Sequence, residues 1–432
     1  MSEVAVIGAG YVGLTTATCL AHLGHRVICA DIVEERVERL SKGEVPILED
    51  GLPALLAEGL ATGRLSFVVG ARKAAAVADF VFLCVPTPQA DDGSADLSFV
   101  EDVAREIAPV LRRGAVVINK STMPVGSTRL VERILGEAGA SIDQVRVASN
   151  PEFLREGTSV EDFLHPNRVV IGCDDPSVAV RVSELYRALD APILVTDPAS
   201  AEMIKYASNA FLATKISFVN AIANLCEAVD ADVREVTLGM GYDQRIGFEF
   251  LHPGPGYGGS CFPKDTAALL FASRNAGYDF ALLDGVVEVN RRQHERMVEK
   301  ATSMVGGSLE GVTIALWGLT FKANTDDLRD SPALVIAQRL IEGGANVRAF
   351  DPAAGEAAER AVPGLVIVSD PYEVCAGAAL LAVLTEWDQF RWLDFNRVRD
   401  ALASPNVLDT RNLLDPVALR RRGFTYEGVG RS

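Results

Sequence analysis

The stretch EVAVIGAGYVGLTTATCLAHLGHRVICAD, residues 3–31, predicts how the chain begins to fold. Its first residues are rich in valine and isoleucine and favour a strand. The segment GAGYVG then matches the pattern G-x-G-x-x-G at Gly8, Gly10 and Gly13. A segment rich in Ala, Thr and Leu favours a helix, and a second predicted strand ends at Asp31. This succession is the context in which the glycine pattern indicates a dinucleotide-binding turn.

Each residue type in that pattern has a physical role in binding a dinucleotide. The glycines allow a tight turn and a close approach of the backbone to a pyrophosphate, which the N–H groups of the helix N-terminus attract. Asp31 is expected to bind the ribose hydroxyls and to repel a 2′-phosphate, so the sequence predicts NAD rather than NADP as the cofactor. The alternative is a helix–strand turn that binds no nucleotide.

The composition indicates a globular protein with two or three domains. The chain has 432 residues, of which 49% are apolar and 23% charged, and this length exceeds one ordinary core. No apolar run approaches the roughly 20 residues of a membrane helix, and no signal peptide is visible, so we expect a cytoplasmic protein without membrane association. The net charge of −17 argues against nucleic-acid binding.

The C-terminal part repeats the opening order of elements. The segments GVTIALWGLTF, SPALVIAQRLIEGGA and NVRAFDP predict a strand, a helix and a strand that ends at Asp351. The glycine pattern is missing, and the polar segment FKANTDDLRD takes its place. We therefore expect a second Rossmann-like unit that binds something other than a second dinucleotide.

Residues 200–230 have apolar positions at helical spacing without Gly or Pro and predict one long helix. The expected fold class is α/β, with two Rossmann-like domains joined by this central helix. The predicted domains are an NAD-binding domain (1–196), a central helical region that carries the Cys261 loop and supports a dimer (197–300), and a C-terminal Rossmann-like domain (301–432).

Polar residues follow several of the predicted strands. Ligands of open α/β sheets lie beyond the carboxyl ends of the strands, and Thr87, Thr122, Glu152 and Glu156 all lie in such positions. Lys205 and Asn209 are four residues apart in the long helix and share a face. The alternative for these two side chains is a solvated pair.

Seven cysteines without CxxC spacing predict neither a disulfide framework nor a metal site. Most lie in apolar segments and are expected to be buried. Cys261 differs, because it lies in GPGYGGSCFPKD, residues 254–265, where the glycines would let a phosphate or sugar approach the backbone. A helix with Pro263 in its first turn is predicted to follow.

Cys261 is therefore expected at a helix N-terminus near Lys264, and both features favour a nucleophilic thiolate. Asp265 is a candidate to orient a water molecule. Beside a nicotinamide, a thiolate has a specific use: it adds to an aldehyde made by a first hydride transfer, and a second hydride transfer then gives a thioester that water releases as a carboxylate. The alternative is a buried thiol in a glycine-rich turn.

Ten segments together resemble the UDP-glucose/GDP-mannose dehydrogenase family over essentially the whole chain: GAGYVG, CVPTP, KSTMPVGS, NPEFLREG, AEMIKYASNAFLATKISFVNAI, DQRIG, GPGYGGSCFPKD, GLTFKANTDDLRDSPA, TEW and DTRN. The resemblance implies an N-terminal NAD domain, a central dimerisation region and a C-terminal domain that helps to hold a UDP-sugar. It implies a four-electron oxidation of UDP-glucose to UDP-glucuronate with two NAD.

The resemblance also implies roles for individual residues. Cys261 resembles the thioester nucleophile, Lys205 and Asn209 the pair that steadies the oxyanion, and Asp265 the residue that organises the water. Glu152 resembles an acid/base residue that acts directly or through water with Thr122. The implied NAD-binding residues are Gly8, Gly10, Tyr11, Val12, Gly13, Asp31, Arg36, Thr87, Thr122, Glu156, Lys264 and Arg329. The implied substrate-binding residues are Glu152, Phe153, Leu154, Lys205, Asn209, Arg245, Tyr257, Gly258, Phe321, Lys322 and Arg411.

Two features of the resemblance concern the partner and the substrate. Arg245 resembles an arginine that reaches the sugar from the neighbouring subunit, so a homodimer or higher oligomer is expected. Thr410 stands where bacterial relatives often have glycine, and it is expected to crowd the sugar or to alter the turn beside Arg411.

Other functions remain open at this point. The same chemistry could act on dTDP-glucose, GDP-mannose or a UDP-N-acetylhexosamine. A two-electron hydroxyacid dehydrogenase would have no need of Cys261, and a non-catalytic NAD-binding protein would not turn over at all.

Overall fold

The computed structural model describes residues 1–141 and 145–431. The chain forms two compact units. Unit 1 comprises Met1–Ser208 and Ala267–Ala276, and unit 2 comprises Asn209–Thr266 and Gly277–Ser432.

Unit 1 alternates strands and helices around one sheet. Its strands are β1 (Glu3–Ile7), β2 (Arg26–Asp31), β3 (Leu65–Val69), β4 (Phe80–Leu83), β5 (Val116–Asn119), β6 (Arg146–Ser149), β7 (Val169–Gly172) and β8 (Ile193–Thr196). Its helices are α1 (Tyr11–His22), α2 (Glu34–Ser41), α3 (Leu52–Ala61), α4 (Ala71–Ala75), α5 (Ser98–Ile107), α6 (Ser127–Glu137), α7 (Ser159–Leu164) and α8 (Pro176–Ser183). Within the described residues the strand order is β3-β2-β1-β4-β5-β6-β7-β8.

The sheet of unit 1 has a core on each face. Pairing is parallel from β3 to β6, whereas β7 runs antiparallel to β6 and parallel to β8. Successive residues of β1 point to opposite faces, so Val4 and Val6 pack into one apolar cluster while Ala5 and Ile7 pack into the other. Both faces of the sheet are therefore covered, as in other parallel sheets.

The first strand of unit 1 ends in a turn that only glycine can form. Gly8 has a φ of +103°, and a Cβ atom there would lie 2.5 Å from the carbonyl oxygen of Cys84. A Cβ atom at Gly13 would lie 1.8 Å from the carbonyl oxygen of Gly8. These two glycines therefore allow β1, β4 and α1 to pack at backbone distance.

Four helices follow β8 in the chain: α9 (Pro198–Val229), α10 (Val233–Gly241), α11 (Phe262–Asn275) and α12 (Ala281–Met304). The chain passes from unit 1 to unit 2 within α9, which confirms the predicted long helix. By length and composition alone α9 is also apolar enough to cross a membrane, contrary to our expectation from the sequence. That criterion is weak evidence here, because the Glu202 and Lys205 side chains of α9 are buried and form hydrogen bonds within unit 1.

Unit 2 contains the second sheet, which confirms the predicted second Rossmann-like unit. Its strands are β9 (Thr313–Trp317), β10 (Asn346–Phe350), β11 (Val366–Ile367), β12 (Leu380–Val383), β13 (Asn406–Asp409) and β14 (Thr425–Gly428). Its later helices are α13 (Pro332–Glu342), α14 (Gly355–Ala361), α15 (Phe395–Ala401) and α16 (Pro416–Arg421). The described strands pair in parallel in the order β11-β10-β9-β12-β13-β14.

Gly318 ends β9 as Gly8 ends β1. Its φ is +87°, and a Cβ atom there would lie 2.4 Å from the Cβ of Thr385, which follows β12. The chain then makes a long excursion before α13 begins at Pro332, whereas α1 begins three residues after Gly8. The polar segment FKANTDDLRD thus forms a loop in place of the dinucleotide turn.

We predict that Gly318→Ala strongly destabilises unit 2. Left-handed backbone costs a non-glycine residue about 1–2 kcal/mol, and displacement of Thr385 adds about 1–3 kcal/mol. Gly307→Ala is the matched control, because Gly307 has a φ of +91° but open space around its Cβ position. Thermal and urea unfolding should show a larger loss for Gly318→Ala, and equal losses would contradict the close approach.

Candidate functional site

The glycine turn of unit 1 has the shape that a dinucleotide needs. A Cβ atom at Gly10 would meet nothing within 4 Å, and no side chain caps the N-terminus of α1, which begins at Tyr11. The first N–H groups of the helix are therefore open for a pyrophosphate. Val12, in the same first turn, packs partly buried against the core.

Asp31 lies at the end of β2 and is fixed by the turn. Its Oδ2 accepts hydrogen bonds from the backbone N–H of Ala9 at 2.8 Å and from Arg36 at 3.1 Å. Its Oδ1 accepts the backbone N–H of Val33 at 2.9 Å. The structure thus brings together Asp31, Arg36 and the glycine turn, three parts of the predicted NAD site.

The other NAD-binding candidates of unit 1 lie in loops beyond strands. Thr87, after β4, donates its hydroxyl to the carbonyl oxygen of Thr122, after β5, at 2.9 Å. The hydroxyl of Tyr11 contacts the backbone N–H of Gly157, which adjoins Glu156. These contacts join neighbouring loops at the carboxyl edge of the sheet, where ligands of such folds bind.

Lys205 and Glu152 form a buried ion pair. Their Nζ and Oε1 atoms are 2.8 Å apart, and the two side chains are only 4% and 5% exposed. Burial favours a raised pKa for Glu152, but Lys205, the Leu154 N–H and Lys120 together lower the pKa below its usual value. Glu152 is therefore held as a carboxylate, and its Oε2 accepts the Leu154 N–H at 2.6 Å.

Phe153 lies beside two cations. Its ring centre is 5.4 Å from the Lys205 ammonium and 3.6 Å from the Arg168 guanidinium. Lys205, Glu152, Phe153 and Leu154, all predicted to contact substrate, thus form one cluster in unit 1.

Asp265 joins two other predicted residues in unit 2. Its Oδ2 accepts a hydrogen bond from Asn209 at 2.6 Å, and its Oδ1 pairs with the Lys264 ammonium at 2.5 Å. The Asp265 side chain is 1% exposed. The carboxylate therefore fixes the amide of Asn209 and the ammonium of Lys264.

Cys261 differs from the other six cysteines, as predicted. It is half-buried, whereas Cys19, Cys29, Cys84, Cys173, Cys226 and Cys375 are buried. Burial raises the thiol pKa of Cys19, Cys84 and Cys375 to about 12. Cys261 directly precedes α11, and its carbonyl oxygen accepts the Asp265 N–H at 2.9 Å, so it lies at the predicted helix N-terminus with Pro263 in the first turn.

Amide side chains clamp the loop before Cys261. Asn290 of α12 accepts the Tyr257 N–H at 2.7 Å and donates to the Tyr257 carbonyl at 3.1 Å. The Gly254 N–H donates to Asn220 and its carbonyl accepts from Gln293, both at 2.8 Å. Sequence analysis missed these three residues, although a polar residue among the apolar positions of a helix was the available signal.

The glycines of this loop allow it to pack closely within unit 2. A Cβ atom at Gly258 would lie 2.0 Å from the Asp330 carbonyl oxygen, and one at Gly259 would lie 2.8 Å from the Phe321 ring. At Gly256 it would lie 2.6 Å from His294. These three positions leave no room for a side chain, because the loop packs against 321–330 and α12.

The substrate-binding candidates Phe321 and Arg411 meet in unit 2. Arg411 donates to the carbonyl oxygens of Phe321 and Leu384, both at 2.9 Å, and forms an ion pair with Glu386 at 3.0 Å. The ammonium of Lys322 is 5.7 Å from the Phe321 ring. Phe321, Lys322 and Arg411 thus lie together in the loops that follow β9 and β13.

Two further arginines are exposed and have acidic partners. Arg329 pairs with Asp327 at 2.7 Å, and Arg245 pairs with Asp243 at 2.6 Å. The carbonyl of Arg329 accepts the Gly259 N–H at 3.1 Å, so the Arg329 backbone contacts the Cys261 loop.

Thr410 is accommodated by the sheet. Its hydroxyl is buried and donates to the Val383 carbonyl at 2.7 Å. The Thr410 hydroxyl is therefore hydrogen-bonded to the backbone of β12. This contact removes the physical reason to expect that the side chain crowds a sugar.

Comparison with known proteins agrees with this architecture. Three models of the UDP-glucose/GDP-mannose dehydrogenase family match consecutive parts of the chain: the NAD binding domain (2–190), the central domain (199–292) and the UDP binding domain (315–416). The chain belongs to this family. It is accordingly an NAD-dependent oxidoreductase with a domain of the UDP-binding type, and NAD is its cofactor.

Members of the family match the chain over nearly its whole length. The UDP-glucose 6-dehydrogenases of Rhizobium meliloti (strain 1021) and Pseudomonas aeruginosa are 46% and 44% identical to it. Both alignments cover 99% of this chain, and they cover 99% of the Rhizobium meliloti protein and 97% of the Pseudomonas aeruginosa protein.

Solved structures give the same result for the fold. A UDP-glucose dehydrogenase from Pyrobaculum islandicum has a TM-score of 0.92 at 39% identity and covers 100% of this chain and 98% of its own. A UDP-D-ManNAc dehydrogenase from Pyrococcus horikoshii has a TM-score of 0.88 at 28% identity, with 99% of each chain covered.

We predict that Cys261 is the thiol that reacts first in the native protein. Because the other six thiols are buried, brief treatment with iodoacetamide should attach about one label per chain, located by peptide mass spectrometry. Cys261→Ser should remove the fast reaction, and Cys226→Ala, the matched control in unit 2, should preserve it. Rapid labelling of several cysteines would contradict this burial pattern.

Proposed function

We propose that this protein oxidises UDP-glucose to UDP-glucuronate with two NAD, through a thioester on Cys261. The single observation that carries the proposal is the half-buried Cys261 at the start of α11, in a chain whose other cysteines are buried. A thiolate at a helix N-terminus is favoured as a nucleophile. Dehydrogenation of an alcohol to an aldehyde alone needs no such thiol.

The reaction is proposed to proceed in four steps. The C6 alcohol loses a hydride and a proton to become an aldehyde, and the Cys261 sulfur adds to its carbon to form a thiohemiacetal. Loss of a second hydride, together with the hydroxyl proton, gives the thioester, and water then cleaves the C–S bond to release the carboxylate and the thiol. Bound NAD supplies the hydride acceptor in both oxidations.

The residues of the NAD site would hold the cofactor by distinct contacts. The open N-terminus of α1 at Gly10 would bind the pyrophosphate, and Asp31 with Arg36 would hold the adenosine ribose. Thr87, Thr122, Glu156, Lys264 and Arg329 remain proposed NAD contacts on the strength of the resemblance.

The buried polar groups are proposed to handle charge and protons. Lys205 and Asn209 are one helical turn apart on α9 and would stabilise the oxyanion that forms when sulfur or water attacks the carbonyl carbon. Glu152, fixed by Lys205, would act in acid/base transfer, directly or through water with Thr122. Asp265 would orient the hydrolytic water, because its carboxylate is already fixed by Asn209 and Lys264.

UDP-glucose is the favoured substrate among nucleotide sugars. Relatives named as UDP-glucose 6-dehydrogenases reach 46% identity over the full chain, whereas the UDP-D-ManNAc dehydrogenase structure is 28% identical. Phe153, Leu154, Arg245, Tyr257, Gly258, Phe321, Lys322 and Arg411 are the proposed substrate contacts. The same chemistry on dTDP-glucose, GDP-mannose or a UDP-N-acetylhexosamine is the second candidate. We also propose that the enzyme acts in the cytoplasm.

We predict that Cys261→Ser stalls the reaction after the first oxidation. Without the thiol no thioester forms, so limiting UDP-glucose should yield at most one NADH per sugar in rapid-mixing absorbance measurements. Mass spectrometry should detect the aldehyde or its hydrate. Cys226→Ala should retain the wild-type yield. Two NADH per sugar from Cys261→Ser would rule out the thioester route.

We further propose that the enzyme is at least a homodimer. The α9 residues Phe211, Phe218, Leu225 and Val229 are each at least half exposed, and the first three are spaced by seven residues along one side of the helix. Leu238, Tyr242 and Phe248 add exposed apolar surface in the same unit. A second copy of the chain would cover this stripe, and Arg245 would reach its neighbour's substrate.

We predict that Phe218→Glu weakens this association. Sedimentation velocity of the wild type should give at least twice the chain mass of 46.1 kDa. The variant should shift toward the monomer, because a carboxylate would replace a ring that the second copy is proposed to bury. Val180→Glu is the matched control, since Val180 is an exposed valine of α8 outside the stripe. A monomeric wild type would contradict the proposal.

A further inference from the structure

Unit 1 contains a second buried lysine, Lys120, to which neither the motifs nor the proposed mechanism gives a role. It follows β5 and is 5% exposed. Its ammonium donates to the Oδ1 of Asn150 at 3.1 Å, a neutral partner. Within residues 1–141 and 145–431, no carboxylate lies within ion-pair distance of this ammonium.

Asn150 is itself held in place. Its Oδ1 also accepts the Tyr186 hydroxyl at 2.5 Å, and its Nδ2 donates to the Val170 carbonyl at 2.8 Å. The Lys120 ammonium lies 5.8 Å from the centre of the Tyr186 ring. Asn150 therefore presents a fixed acceptor to Lys120, two residues before Glu152 in the same loop.

The charges around Lys120 do not balance. The buried pair Lys205–Glu152 is neutral overall, so Lys120 adds a second buried ammonium that acts on both members of the pair. Burial, opposed by Cys84 and Glu152 and assisted by Lys205, lowers the pKa of Lys120 to about 8. Lys120 is in turn one of the groups that lower the pKa of Glu152.

A cavity of about 40 Å³ adjoins this cluster and is lined by Lys120, Asn150, Glu152, Phe153, Arg168 and Tyr186, among others. The remaining charged lining residue is Asp162, whose carboxylate is paired with Arg155 at 2.6 Å. The cavity has room for a water molecule or two. Its polar lining allows water to connect Glu152 with Lys120.

We propose that Lys120 is a positioning residue whose buried charge acts on the Lys205–Glu152 pair and sets the pH at which that pair releases its transferable proton. This inference rests on the proposed function, in which the pair takes part in proton transfer. A cation disfavours protonation of both neighbours, so Lys120 keeps the proton-accepting form available at lower pH.

The test is the pH dependence of kcat/KM for Lys120→Met, which keeps the volume and removes the charge. Without Lys120, both Glu152 and Lys205 hold their protons to higher pH. The acidic limb of the profile should therefore move upward by about one pH unit, while activity on the alkaline plateau is largely retained. Tyr186→Phe is the control, because it removes one donor to Asn150 and leaves the Lys120 charge.

An unshifted acidic limb in an active, folded Lys120→Met protein would overturn the inference, since a purely structural lysine changes stability without moving the limb. A shift as large in Tyr186→Phe would overturn it as well. Turnover of UDP-glucose by the wild type tests the proposed function separately, so the two failures are distinguishable.

A measurement on the unaltered chain covers the case in which Lys120→Met does not fold. NMR titration of wild-type protein labelled with ¹³C-lysine, with Lys120 assigned through Lys120→Arg, follows the ammonium directly. The same sample contains Lys205: a Lys205 signal that shifts as Lys120 titrates supports the inference, and a Lys205 signal that is unaffected by the Lys120 titration overturns it.

Discussion

Each sheet depends on a glycine that ends its first strand and lies against the backbone of the strand beside it. Gly8 approaches the carbonyl of Cys84, and Gly318 approaches Thr385, at distances that leave no room for a side chain. An aspartate at the end of the next strand then accepts backbone N–H groups of the turn: Asp31 from Ala9 and Asp351 from Leu319, at 2.8 and 2.7 Å. The carboxyl edges where the candidate residues lie follow from this shared packing.

The two turns diverge beyond that point, and so do their proposed ligands. In unit 1, α1 starts at once, and the space beside Gly10 is open. In unit 2, the loop 319–331 intervenes, and its Phe321 packs against Gly259 of the Cys261 loop. A dinucleotide can approach the first turn, whereas the second has become a support for the cysteine. The same backbone turn is thus followed by an open helix N-terminus in one unit and by a loop that packs against the Cys261 loop in the other.

Much of this arrangement could be predicted from local pattern. The glycine turn, the long helix without Gly or Pro, and Asp31 follow from spacing, because local backbone geometry sets them, whereas Arg36 was implied by the family resemblance alone. The polar positions of Asn290 and Gln293 could be seen in the sequence, but their partners could not be predicted, since these depend on which face of α12 meets the loop. The close packing at Gly256, Gly258 and Gly259 could not be predicted for the same reason: sequence shows that a side chain is missing, but only the fold shows which atoms lie there. The environment of Lys120 could not be predicted either, because nothing in KSTMPVGS reveals that its hydrogen-bond partner is a neutral amide.

We propose that one active site carries an alcohol through two oxidations by means of Cys261. The most direct test is the amount of NADH that wild-type enzyme forms from a limiting, known amount of UDP-glucose in excess NAD. The account predicts two NADH per sugar, with UDP-glucuronate as the product. A yield of one NADH per sugar, with an aldehyde as the end product, would contradict it.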